Sequence, residues 1–192
     1  MKRFLTGVLL SGVAVLPAQA ALNAGTTAPL FKTEASLAGK SFTFSLQDSL
    51  KKGPVVVYFY PSAYTGGCNI QAHEFAENSA RFAEAGATVV GVSLDSIQRL
   101  NDFSADPQYC AGKLAVASDA DGAIAKSYEL VVRDAAPGKK DTRGVDIEHG
   151  FAERTTFVVD KGGKIVATIG GLAPAENVKK TLETVQALTG SK

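Results

Sequence analysis

The stretch that most constrains this 192-residue chain is Val55-Val56-Val57-Tyr58-Phe59, apolar at every position. A strand with one wet face alternates apolar and polar residues. A run apolar throughout reads as a strand covered on both faces. Pro61 and the Gly66-Gly67 pair break the run. A helix is predicted from about Cys68 to Ala85, with Phe75 and Phe82 seven apart on one face and Gly86 as its C-terminal stop. A covered strand that turns straight into a helix is the beginning of an α/β architecture.

The rest of the chain extends that pattern. Residues 88–94 form the next strand, and Asp95 can cap a helix that carries Ile97, Leu100 and Phe103 and ends before Pro107. Residues 114–117 read as a short strand, and 122–130 as a short helix with Ile124 and Tyr128 at i, i+4. Upstream, 42–46 alternates like an edge hairpin strand. Segment 133–150 is polar and irregular, with Pro137-Gly138 marking a loop; the sequence assigns it neither to a site wall nor to a dimer contact. Residues 155–159 and 164–169 are β-rich and joined by Asp160-Lys161-Gly162-Gly163, a hairpin signal. A last helix puts Val178, Leu182, Val185 and Leu188 on one stripe. Residues 21–192 thus read as one domain, a mixed sheet with helices on both faces. That arrangement fits a thioredoxin-like layout, which periodicity alone does not single out.

The first 20 residues have the form of a secretory signal: Met1-Lys2-Arg3, an apolar stretch over 4–16, Pro17, then the small-x-small site Ala18-Gln19-Ala20. The apolar stretch is shorter than the roughly 20 residues that a membrane span requires. The expectation is a cleaved signal peptide, residues 1–20, and a mature protein outside the membrane. The signal style suggests a bacterial periplasm, where a disulfide can persist. Charge excludes one class of partner. With 20 Lys+Arg against 19 Asp+Glu, no basic surface for nucleic acid is expected. Two cysteines and two histidines exclude a disulfide-dense scaffold and any Cys/His metal cluster.

The chemistry concentrates in Tyr60-Pro61-Ser62-Ala63-Tyr64-Thr65-Gly66-Gly67-Cys68. It places a cysteine in the first turn of a long helix, where unpaired N–H groups and the dipole favour a thiolate. The two glycines allow backbone N–H groups close to a small substrate. Thr65 offers a hydroxyl one turn before the sulfur. The bland reading of Cys68 as a small core hydrophobe is set aside by this context.

Pro61, Thr65 and Cys68 reproduce the P-x-x-x-T-x-x-C motif, and the stretch resembles the peroxiredoxins. Arg154-Thr155-Thr156-Phe157-Val158-Val159-Asp160 is similar to that family's arginine followed by a strand ending in Asp. The resemblance covers most of residues 24–189 and is closest to the bacterioferritin-comigratory, or PrxQ-like, group. It implies a thioredoxin-like fold and a thiol peroxidase that uses no metal, haem or flavin. Cys68 would be the nucleophile that becomes a sulfenic acid. Thr65 would hydrogen-bond thiolate and peroxide, Arg154 would stabilise charge along the O–O bond, and Pro61 would shield the sulfur. The substrate would be hydrogen peroxide or a small organic hydroperoxide. The reductant would be a thioredoxin-like protein or a small thiol, and a homodimer is compatible with the family.

Two positions depart from the pattern. Gln71 stands where many members carry Glu, and His73 stands where many PrxQ-like proteins carry the resolving cysteine. That disulfide route is closed, which leaves Cys110, 42 residues after Cys68. Three roles stay open for it: a resolving thiol, a permanent structural disulfide, or a bystander beside an external thiol. Two rival functions have sequence objections. A thiol–disulfide oxidoreductase would normally carry C-x-x-C, absent here. A Sco-like copper carrier could pair Cys68 with His149 but lacks the C-x-x-x-C pair, and His149 reads as a loop residue with no ligand role.

Overall fold

A computed structural model describes residues 21–190; segment 1–20, expected from the sequence to be a signal peptide, lies outside the described residues. Strands β1 (Lys32–Leu37) and β2 (Lys40–Ser45) form a hairpin, followed by helix α1 (Leu46–Leu50). Then come β3 (Val55–Phe59), α2 (Gly66–Glu77), α3 (Ser79–Glu84), β4 (Thr88–Ser93), α4 (Ile97–Ala105), β5 (Ala115–Ser118) and α5 (Ala123–Ser127). The short pair β6 (Val132–Arg133) and β7 (Phe151–Ala152) brackets an irregular segment. The hairpin β8 (Thr155–Val159) and β9 (Ile165–Gly170) and helix α6 (Pro174–Thr189) close the chain.

Seven strands make one mixed sheet in the order β2-β1-β5-β4-β3-β8-β9. Strands β5, β4 and β3 run parallel, and β8 pairs antiparallel with β3. The arrangement is the α/β, thioredoxin-like fold expected from the sequence. The uniform apolarity of β3 follows from its central place. Val56 and Tyr58 enter a core shared with Phe75 of α2, Phe103 of α4 and Val178 of α6. Val55, Val57 and Phe59 enter the opposite core with Leu46, Leu50 and Tyr128. Each fully buried side chain of this kind contributes about 1.5–3 kcal/mol.

The structure corrects several sequence expectations. The expected single helix over 68–85 is two. Asn78, with φ −91° and ψ 6°, interrupts it, and its amide donates to the Glu74 carbonyl at 2.9 Å. Strand β1 carries no clear alternation and was not expected; small buried residues, Ala35 and Ser36, let it pack. Ser96, not Asp95, caps α4, accepting from Arg99 N. Leu188 is 41% exposed, so the α6 stripe ends at Val185.

Candidate active site

The β3–α2 junction delivers Cys68 to the first turn of α2, where it is only 2% exposed. Thr65 occupies the N-cap in an extended conformation. Its carbonyl accepts from the N–H groups of Cys68 and Asn69, at 2.9 and 2.8 Å. Its hydroxyl is not spent on capping; it donates to the Ser62 carbonyl at 2.8 Å. Proline at 61 ends the covered strand, and the half-buried ring shares a cleft with Arg154, Arg133, Phe151 and Glu153.

Arg154 enters from the start of β8. Its Nη2 donates to the Cys68 sulfur at 3.2 Å, and its Nη1 donates to Gln71 Oε1. Gln71 Nε2 donates in turn to Asn177 Oδ1 of α6 at 3.0 Å. The Thr156 hydroxyl donates to the same oxygen at 2.7 Å, and Asn177 Nδ2 donates to the Ile169 carbonyl at 3.0 Å. Gln71, Thr156 and Asn177 are fully buried. The guanidinium is thus aimed at the sulfur by a chain of satisfied amides rooted in α6 and β9. Gly67 leaves room for this approach: a Cβ there would lie 3.1 Å from Arg154 Nη2, and the guanidinium would have to give way. The contact that Gln71 makes survives the absence of a carboxylate, as its amide oxygen still faces the arginine.

Arg154 therefore reaches the Cys68 sulfur and shares a cleft with Pro61, while Thr65 is the N-cap of the helix that carries Cys68. Cys110 is placed differently. It is fully buried in the turn after α4, within the same apolar core as Cys68, and both cysteines are free thiols. Burial pushes its thiol well above the ordinary value, and the Asp106 carboxylate adds to this. The turn is strained: Ala111 has φ +50° beside Gly112 at +68°. His73 is exposed and its Nδ1 meets the Gln108 carbonyl at 3.2 Å. Cys68 and His149, the copper-carrier pair, are each committed elsewhere: the sulfur faces the Arg154 cation, and His149 Nε2 lies 2.8 Å from Asp95 Oδ1.

Sequence reasoning missed three contributors. Asn177 and Thr156 complete the arginine's support from distant elements, with no local signal in the sequence. Asp95 was read as a cap, yet it is a fully buried carboxylate with five hydrogen bonds to Ser62, Ala63, Ser93, Arg99 and His149. An acidic residue directly after a covered strand was the available clue.

Residues 24–168 match the AhpC/TSA family. A putative peroxiredoxin of Mycobacterium tuberculosis is 31% identical over 140 residues, covering 72% of this chain and 82% of that one. Two solved structures are similar. The peroxidoxin BcpB of Mycobacterium tuberculosis superposes with a TM-score of 0.72 at 28% identity, covering 87% of this chain and 98% of the other. Peroxiredoxin Q of Xanthomonas campestris gives 0.64 at 25% identity, covering 81% and 90%.

Proposed function

The chain belongs to the AhpC/TSA family and is a thiol peroxidase, and from that premise we propose that Cys68 is its nucleophile and Cys110 its resolving thiol. The observation that carries this reading is the 3.2 Å contact between Arg154 Nη2 and the Cys68 sulfur. A guanidinium held there favours a thiolate and stabilises negative charge developing on the peroxide oxygens. The Thr65 hydroxyl, its hydrogen directed at Ser62, keeps lone pairs for the O–H of an incoming hydroperoxide.

The thiolate attacks the terminal oxygen of ROOH. An S–O bond forms, the O–O bond breaks, and RO⁻ leaves to take up a proton, with Cys68 left as sulfenic acid. Cys110 then attacks the Cys68 sulfur as thiolate. An S–S bond forms, the S–O bond breaks, and the leaving hydroxide takes up the proton that the Cys110 thiol gave up, departing as water. A buried thiol with a raised pKa cannot do this in place, so the turn over 106–113 opens first; the left-handed Ala111 favours that opening. A thioredoxin-like protein or a small thiol regenerates the dithiol. The exported location is supported by the form of residues 1–20, and a homodimer by the family's habit.

Disulfide mapping by mass spectrometry, after one equivalent of peroxide, tests the resolving step. An intramolecular Cys68–Cys110 bond is expected. Stable sulfenic acid or only mixed disulfides would exclude Cys110 from resolution.

A further inference from the structure

Three residues ahead of Thr65 are each held from outside their own loop. Ser62 Oγ donates to Asp95 Oδ1 at 2.9 Å. The Ala63 N–H donates to Asp95 Oδ2 at 2.8 Å, and its carbonyl accepts from Arg99 Nη2 at 2.8 Å. The Tyr64 carbonyl accepts from the N–H and the hydroxyl of Thr142, at 2.8 and 2.9 Å. Tyr64 has φ +59°, a left-handed conformation that a residue with a side chain holds only when its surroundings impose it.

The holders form one cluster of charge. Asp95 also accepts from Arg99 Nε and His149 Nε2, each at 2.8 Å. Arg99 Nη2 reaches Asp141 Oδ2 at 2.9 Å, and Asp141 takes Arg143 Nη2 at 3.1 Å. The Arg143 guanidinium lies 3.3 Å from the centre of the Tyr64 ring. The side chains of Asp95 and Asp141 are fully buried. Asp141, Thr142, Arg143 and His149 all come from segment 133–150, which the sequence left without a role.

The His149 ring decides how this cluster is charged. Its Nδ1 lies 2.8 Å from the Gly150 carbonyl and its Nε2 lies 2.8 Å from Asp95 Oδ1. Both partners are acceptors, and only the imidazolium has a hydrogen for each. A neutral ring leaves one lone pair against an oxygen. Around the ring stand the Ser62 hydroxyl at 3.4 Å from Nε2, the Phe151 ring edge-on, and Arg99, a cation sharing Asp95. Burial alone would disfavour the charge; the hydrogen bond and charge of Asp95, with the Gly150 carbonyl, outweigh burial and Arg99 and raise the His149 pKa.

We propose that Asp95 and His149 are positioning residues of the peroxidase site: protonated His149 closes the buried cluster that fixes residues 62–64, and through them Thr65 and Cys68. Ser62 links the two, since its hydroxyl faces Asp95 and its carbonyl takes the Thr65 hydroxyl. Loss of the His149 proton loosens that link. The inference rests on Cys68 as the nucleophile.

The test is the second-order rate of peroxide consumption by reduced wild type and His149→Gln, across about pH 5 to 9. The ratio of the two rates at each pH isolates what His149 contributes. The wild type is expected to be about 10- to 100-fold faster at the acid end. The ratio should fall toward one as pH rises through the His149 titration. A ratio independent of pH overturns the proposal. Should His149→Gln fail to fold, the wild type alone decides: with two histidines in the chain, the His149 ring can be followed by NMR. The His149 midpoint should coincide with an inflection in the wild-type rate, and a His149 titration with no matching inflection overturns the proposal. Cys68→Ser, run alongside, separates the two readings. Consumption that persists there removes the nucleophile itself, whereas consumption that stops there beside a flat ratio removes only the role of His149.

Discussion

Arg154 Nη2 stands 3.2 Å from the Cys68 sulfur, and Gln71 fixes the same guanidinium from its other end. One planar group thus serves the sulfur and its own anchor together. Lysine carries the charge without the fork. Arg154→Lys is expected to slow Cys68 oxidation by about 100-fold, the scale of losing one preorganised donor, with a melting temperature close to wild type. Stopped-flow peroxide kinetics checks this; an unchanged rate would remove Arg154 from the reaction.

The approach of that arginine depends on Gly67. An added Cβ would meet Nη2 at 3.1 Å and Pro174 Cγ at 3.4 Å. Gly67→Ala should therefore slow peroxide consumption by about 10-fold or more while the chain stays folded, since misplacement of this order is costly at a reacting centre. Equal rates for variant and wild type would show that the guanidinium has room to spare.

Gln71→Glu would bring in the residue that the family resemblance leads one to expect there, and it should destabilise this protein. Gln71 Nε2 donates to Asn177 Oδ1, an oxygen already accepting from Thr156. A carboxylate would set acceptor against acceptor inside the core, a loss of about 1–3 kcal/mol. Asn177 cannot turn over to compensate without setting its own amide oxygen against the Ile169 carbonyl. Chemical denaturation of the two proteins measures the difference, and a variant as stable as wild type would contradict this account of Asn177.

Much of the candidate site was legible because it is local. Pro61, Thr65 and Cys68 lie within eight positions, and Arg154 opens a recognisable strand. What the sequence hid is held by distant partners. Asp95 looks like a cap because its helix starts beside it, but its partners Ala63 and His149 are 32 and 54 residues away. Asn177 and Gln71 are 106 apart. The break at Asn78 has no glycine or proline to mark it, and β1 packs through small side chains that leave no apolar rhythm. Segment 133–150 read as a polar loop because its charges are spent on Asp95, Arg99 and Tyr64, not on solvent alone.

The same cluster predicts how stability varies with pH. The His149 pKa is raised, chiefly by Asp95 against burial, so its contribution is complete below the unfolded value of about 6.5 and is lost as pH rises through the folded value. Asp95 is lowered: burial alone would raise it, but His149, the Ala63 N–H and Ser93 outweigh that. Its contribution is present above the unfolded value of about 3.9 and lost as pH falls through the folded one. Melting temperatures of wild type and His149→Gln should differ most between these limits and converge as pH rises. A constant difference across the range would show that His149 contributes without its charge.

The most direct measurement is peroxide consumption by the protein, wild type against Cys68→Ser, with dithiothreitol as the only reductant. The account predicts rapid turnover by the wild type and none above the uncatalysed rate for Cys68→Ser. Turnover retained in Cys68→Ser would contradict it, whatever the geometry around Arg154.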